Sequence, residues 1–275
     1  MVESVPIVTH QAAKETQVID TAQIVRELSA AERERRHRQP FTDEFPDLDM
    51  ETAYAAQWAG IEAKLEEGQS LVGAKLGLTS KAKQQVMNVN DPLYGFVTSG
   101  MIAPYGEPVD LANFIHPRVE PEIAFLLGRD VEAPATVVSV LEATAAIFLA
   151  MDVLDSRYEN FRFTLPDVVA DNASAGAFII GPRAVSPSEL SDLHLLGCVL
   201  RADGEIVHTA AGAAVMGHPA ASVAWLANQL GARKQPLKAG WLIFSGGLTA
   251  PIPLTPGLAV TAEIAGLGTI EVHAR

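Results

Sequence analysis

Residues 116–127 read His-Pro-Arg-Val-Glu-Pro-Glu-Ile-Ala-Phe-Leu-Leu. Carboxylates and apolar residues alternate through the middle of this stretch, which is the period of a half-buried strand. Glu120 and Glu122 therefore share one face, and Val119, Ile123 and Phe125 take the other. Two neighbouring carboxylates repel unless something positive sits between them, and a divalent metal is the simplest answer. The plainer alternative is a solvent-facing edge strand with two surface acids, and Pro121 points towards an edge.

Three further stretches carry groups of the same kind. Residues 71–78 form an apolar run holding one lysine, Lys75. Such a lysine either meets a carboxylate or an anionic ligand, or snorkels to the surface. Residues 147–154 read as an apolar strand ending in a polar patch of Asp152, Asp155, Ser156, Arg157, Tyr158, Glu159 and Asn160. An apolar strand that delivers polar groups at its end is a common way to build a site. The helix and turns between Glu122 and Asp152 are long enough to bring the two strands alongside each other. At residues 245–249, Ser-Gly-Gly-Leu-Thr, the glycines would let backbone N–H groups approach an anion, although ordinary turns look the same. His116, just before Pro117, reads as structural.

The elements that must position these groups follow from the pattern. Residues 1–18 look weakly structured. A helix is predicted over 19–38, with Ile24, Val25, Leu28 and Ala31 on one stripe. A second is capped by Asp49 and runs to about Glu67, with Ala53, Tyr54, Trp58, Ile61 and Leu65 inward. Residues 1–68 are thus a helical N-terminal portion, and 69–275 the catalytic domain. A short helix follows Ser80, turn chemistry occupies 88–92, and a mobile flap is expected around 94–96. Asp203–Gly204 marks a hairpin, a helix opens at His218–Pro219, and 258–264 and 268–273 close the chain as a second hairpin.

Composition narrows the function classes. The chain has 275 residues, 48% of them hydrophobic, enough for a sizeable core. A net charge of −13 makes nucleic acid and anionic membranes poor partners. The basic cluster from Arg33 to Arg38 lies among glutamates and reads as a solvated face. Cys198 is the sole cysteine, so no intrachain disulfide forms, which fits a reducing cytoplasm. Residues 1–10 show no signal-peptide pattern, and the apolar run at 145–151 is too short to span a bilayer.

Read in order, residues 73–80 (Gly-Ala-Lys-Leu-Gly-Leu-Thr-Ser), 119–123 (Val-Glu-Pro-Glu-Ile), 155–157 (Asp-Ser-Arg), 169–174 (Val-Ala-Asp-Asn-Ala-Ser) and 245–247 resemble the fumarylacetoacetate hydrolase superfamily. More narrowly, the chain from about residue 46 onward is similar to its hydratase/decarboxylase branch in meta-cleavage degradation of aromatic compounds. The resemblance implies an α+β fold: a mixed β-roll or barrel-like sandwich with peripheral helices, here with the helical N-terminal portion. It implies Mg²⁺ or Mn²⁺ held by three carboxylates, matching Glu120, Glu122 and Asp152. The third position is usually Glu, and the shorter Asp would displace the ion or reach it through water. The superfamily's active-site lysine matches Lys75.

Within the branch, residues 158–163 (Tyr-Glu-Asn-Phe-Arg-Phe) resemble the decarboxylases. The implied reaction is decarboxylation of 2-oxohex-3-enedioate to 2-hydroxypenta-2,4-dienoate. Its 2-keto acid end would chelate the ion, a Lewis acid for the charge that develops on the C2 oxygen. Lys75 is expected to act on the enolate, and Arg157 to hold a carboxylate or else form an internal salt bridge with Asp155 or Glu159. Leu78, Ser80, Asp155, Ser174 and Ser245 are expected to bind substrate. Alternatives are hydration of the dienoate and, from another class, a non-catalytic partner subunit. C–C bond hydrolysis is disfavoured, because that chemistry in the superfamily usually uses a Glu–His pair ahead of the metal motif. No histidine lies between His37 and His116, and Lys83, Gln84 and Gln85 occupy the short helix instead. The resemblance also implies a homo-oligomer and a complex with the hydratase of the same pathway.

Overall fold

The structure is a computed structural model that describes residues 19–275 except Met87, Asn88, Asn90 and Ser191. The expectation for residues 1–18 lies outside the described residues, as does part of the 88–92 turn. Two sheets and seven α-helices make up the described chain.

The larger sheet is built from β1 (Leu71–Gly77), β2 (Leu93–Thr98), β3 (Ile102–Ala103), β4 (Arg118–Leu127), β5 (Thr144–Leu154) and β6 (Ala175–Ile180). The second is the antiparallel pair of hairpins β7 (Gly197–Ala202), β8 (Glu205–Ala211), β11 (Ala259–Ile264) and β12 (Gly268–His273), in the order β12-β11-β7-β8. β9 (Leu242–Phe244) and β10 (Ile252–Pro253) return to the larger sheet, which runs β2-β1-β9-β4-β5-β6-β3, with β10 against β4. The helices are α1 (Thr21–Glu34), α2 (Phe41–Glu44), α3 (Met50–Glu66), α4 (Lys81–Val86), α5 (Val137–Ala143), α6 (Leu165–Ala170) and α7 (Pro219–Gly231). This is the expected α+β sandwich with peripheral helices.

The caps explain where the first helices begin and stop. Asp20 accepts from Ala22 N–H, and Asp49 accepts from Thr52 N–H at 2.8 Å, as the Asp49 expectation required. α1 ends four residues before the expected limit, because Arg35 turns into the left-handed region (φ 52°). The basic cluster is not wholly solvated. Arg38 lies over the Phe41 ring and pairs with Glu27 at 3.0 Å. In α3 the buried polar surprise is Gln57, whose amide donates to Tyr94 O and Val169 O, both at 2.9 Å.

Two apolar clusters result. Val119, Ile123 and Phe125 enter the main one together with Phe178, Leu200, Val260 and Ile270 from both sheets, which is the inward face predicted for β4. The other joins α1 to α3 with Tyr158, Val168, Val169 and Ala173, so the N-terminal helices complete their core with residues from far along the chain.

Two local expectations fail. β4 is central rather than an edge, lying between β9 and β5. Pro121 is tolerated because it falls in the gap between the β9 pairing at Ala124–Leu126 and the β10 pairing at Arg118–Val119. There its carbonyl accepts instead from Leu248 N–H at 2.9 Å. Tyr94–Phe96 is no flap: it is the buried middle of β2, paired with β1 from Gly77 to Leu71.

Candidate active site

β9 is only three residues long, and where it stops after Phe244 the space between β1 and β4 opens. Lys75 from β1, Glu120 and Glu122 from β4 and Asp152 from β5 converge there, all of them buried. The three carboxylates each offer an oxygen within 4.8 Å of the others. Register explains how the short acid reaches. Glu120 and Asp152 are directly opposite each other in the β4–β5 pair, where facing Cβ atoms lie about 4.5–5.5 Å apart.

Lys75 Nζ lies 2.7 Å from Asp152 Oδ2 and donates to Ala173 O at 3.0 Å. Ala173 sits in a strained turn, with Asn172, Ala173 and Ser174 all near φ +50°. The turn is fixed by Asn172, whose amide bonds both Phe96 N–H and Phe96 O. Burial alone would lower the Lys75 pKa, but the charges of Asp152 and Glu122 outweigh it and hold the ammonium above its usual range. On the other side, Gly246 N–H donates to Glu122 Oε2 at 2.8 Å. A Cβ on Gly247 would stand 2.1 Å from the Glu120 carboxyl carbon, so only glycine allows this approach.

These residues fit a hard divalent cation. One ammonium cannot balance three buried carboxylates, and Glu122 Oε1 has no hydrogen-bond partner among the described residues. Glu122 is held well above the usual carboxylate range, first by burial and then by the Asp152 and Glu120 charges. The folded, metal-free protein thus keeps a proton that the unfolded chain releases. Its stability therefore falls as pH rises from the ordinary carboxylate range towards the raised value. Metal needs the deprotonated ligand, so loading removes that penalty. The expected result is a melting temperature that drops as pH rises above the ordinary carboxylate range for metal-stripped protein, and drops less with saturating Mg²⁺. Calorimetry in two buffers should also register proton release on Mg²⁺ uptake.

The cluster borders a cavity of about 840 Å³, lined by Lys75, Glu120, Leu78, Ser80 and Ser174 among the expected residues. Leu78 reaches it from the left-handed region, φ 55°. Ser245 is fully buried beside Gly246, and its hydroxyl has no partner among the described residues.

Two expected residues go elsewhere. Asp155 accepts from the Ile115 and His116 N–H groups, both at 2.9 Å, and so fastens the loop before β4 instead of meeting substrate. Arg157 is not at the cavity. Its guanidinium binds the Asp171 carboxylate, Asp171 O and Ala175 O, and it lines a separate small pocket beside Glu32 and Lys64. An internal salt bridge does form, but its partner is Asp171 rather than Asp155 or Glu159. Burial pushes the Asp171 carboxyl up to about 6 against the pull of Arg157. Arg157→Met should cost about 3 kcal/mol of stability, measured by urea unfolding, and leave ligand affinity at the cavity unchanged.

Sequence reasoning missed Arg118, Phe161, Phe163 and residues 248–251 in the cavity wall. Arg118 was within reach of the β4 alternation, which puts it on the face of Glu120 and Glu122.

The chain resembles known proteins over most of its length. The family model described as fumarylacetoacetate (FAA) hydrolase C-terminal matches residues 70–274. The chain is 42% identical over 233 residues to a 4-oxalocrotonate decarboxylase of Pseudomonas sp. (strain CF600), covering 84% of this chain and 88% of that one. It is 38% identical over 235 residues to a 2-keto-4-pentenoate hydratase of Paraburkholderia xenovorans (strain LB400), covering 85% and 87%. The structure is similar to that of a 4-oxalocrotonate decarboxylase from Pseudomonas putida G7 complexed with magnesium and adipate. The TM-score is 0.89 at 38% identity, covering 94% of this chain and 100% of the other.

Proposed function

The chain belongs to the fumarylacetoacetate hydrolase family, and on that footing we propose that it is a metal-dependent carboxy-lyase converting 2-oxohex-3-enedioate into 2-hydroxypenta-2,4-dienoate and CO₂. The observation that carries this reading is the buried cluster of Glu120, Glu122, Asp152 and Lys75 at one end of a cavity whose other walls are largely apolar. Mg²⁺ or Mn²⁺ held by the three carboxylates would supply Lewis acidity at the C2 carbonyl oxygen.

The chain's own residues do the rest. In this reading Ser245, fully buried beside Gly246 and behind the cavity wall, supports the backbone that meets the C1 carboxylate. Leu78, Phe161, Phe163, Val168 and Leu248 keep water from the far end of the substrate. The C5–C6 bond breaks, CO₂ leaves, and the electron pair moves through C4 and C3 to the C2 oxygen. Lys75 Nζ, an ammonium fixed by Asp152 and Ala173 O, can hydrogen-bond that oxygen and deliver the proton that makes the 2-hydroxy product.

Hydration of the dienoate is the second reading, favoured by the likeness to the hydratase at 38% identity. It needs a base aimed at a water, which decarboxylation does not. Purified protein with Mg²⁺ should release CO₂ from the dicarboxylate faster than it consumes the dienoate's absorbance. The reverse order would assign the hydratase, and absence of metal-dependent turnover with either would overturn both. A homo-oligomer, a complex with the pathway hydratase, and a cytoplasmic location are part of the same reading. Among the described residues, no helix is long and apolar enough to cross a membrane.

A further inference from the structure

Arg118 opens β4 and projects from the same face as Glu120, about 6.6 Å along the strand at 3.3 Å per residue. Its guanidinium lies over the Phe161 ring, 4.1 Å from the ring centroid, and both residues line the cavity. Phe161 is held there at some expense. It and Asn160 are both in the left-handed region, φ 57° and 56°. The same ring meets His116, centroids 4.9 Å apart, and His116 in turn stacks on His37 at 6.4 Å. A guanidinium carried over an aromatic ring can keep N–H groups free for a bidentate anion.

That edge has no carboxylate or carbonyl partner among the described residues, although Arg118 is half-buried. Its N–H groups face the cavity, where an entering anion can take the place of water. Charge leads the same way. Among the described residues, three carboxylates, the Lys75 ammonium and a divalent ion sum to zero at the cluster. A dianionic ligand then needs a further cation, and Arg118 is the other cationic residue in the cavity wall among the described residues.

We propose that Arg118, held over the Phe161 ring, is the specificity-determining residue of this cavity, binding the far carboxylate of a linear dicarboxylate whose 2-keto acid end lies at the Glu120–Glu122–Asp152 cluster. This rests on the function proposed above and sharpens it, since it separates six-carbon diacids from monoacids of equal length. The far carboxylate leaves as CO₂, so the contact serves to select and seat the ligand and vanishes as the C5–C6 bond breaks.

The test is calorimetric binding of two unreactive keto acids to the Mg²⁺-loaded protein. 2-Oxoadipate carries the far carboxylate, and 2-oxohexanoate has the same chain without it. Wild type should prefer 2-oxoadipate by about 10–100-fold. Arg118→Met should erase that preference by weakening 2-oxoadipate alone, and Arg118→Lys should restore part of it. A preference that survives in Arg118→Met, or an equal loss for both ligands, overturns the inference and leaves the proposed function standing. Wild type that binds neither keto acid in a Mg²⁺-dependent way overturns the proposed function and the inference together.

Discussion

Glu122→Gln should abolish metal-dependent turnover and lower Mg²⁺ affinity by more than about 100-fold, beyond the loss typical of a residue that merely supports a ligand. The substitution keeps the volume and leaves an amide oxygen for the Gly246 N–H, so the backbone around β9 has no reason to move. What it removes is the negative charge that burial and two neighbouring carboxylates already disfavour. The metal-free variant should therefore melt higher than metal-free wild type, by ~2–4 °C for each kcal/mol relieved. Opposite signs in the two readouts, affinity lost and stability gained, are the signature of a ligand kept for function at a cost to the fold. Turnover unchanged with the variant would remove Glu122 from the metal site.

Lys75→Met has a comparable effect on rate and the contrary effect on stability. Methionine fills the lysine stem's volume but leaves Asp152 and Ala173 O without their cation. Breaking a buried pair in this way costs about 3–5 kcal/mol. Here part of that loss should return with saturating Mg²⁺, because the ion offers Asp152 a new positive partner. Turnover should still fall by roughly 10²–10⁴-fold, as expected when the proton donor to the developing oxyanion is gone. Stopped-flow CO₂ release beside thermal melts with and without Mg²⁺ separates the two contributions. A variant that melts normally in Mg²⁺ and still turns over at the wild-type rate would show that Lys75 only balances charge.

Much of the site was legible because period-2 alternation is a geometric statement. It put Glu120 and Glu122 on one face and sent Val119, Ile123 and Phe125 to the core, as found. Asp152 needed one more fact, its register opposite Glu120, which local pattern does not encode. Arg157 was misplaced because its partner Asp171 sits on the next turn of chain, and nothing in residues 155–160 shows which side of the strand end that turn will occupy. Arg118 went unused for the opposite reason. The alternation included it, but its stack on Phe161 depends on two left-handed residues that no composition rule singles out. Pro121 and the Tyr94–Phe96 segment were misread because short-range signals, a missing donor and adjoining turn residues, were overruled by tertiary pairing.

The central claim is that three carboxylates from two adjacent strands hold the ion that receives the keto acid. Anomalous diffraction from crystals grown with Mn²⁺ and oxalate, a mimic of the keto acid end, tests it most directly. The account predicts one manganese peak among Glu120, Glu122 and Asp152, with oxalate completing its coordination and Lys75 within hydrogen-bonding reach of oxalate. A peak elsewhere in the cavity, or an ion bound to Glu120 and Glu122 while Asp152 remains paired only with Lys75, would contradict it.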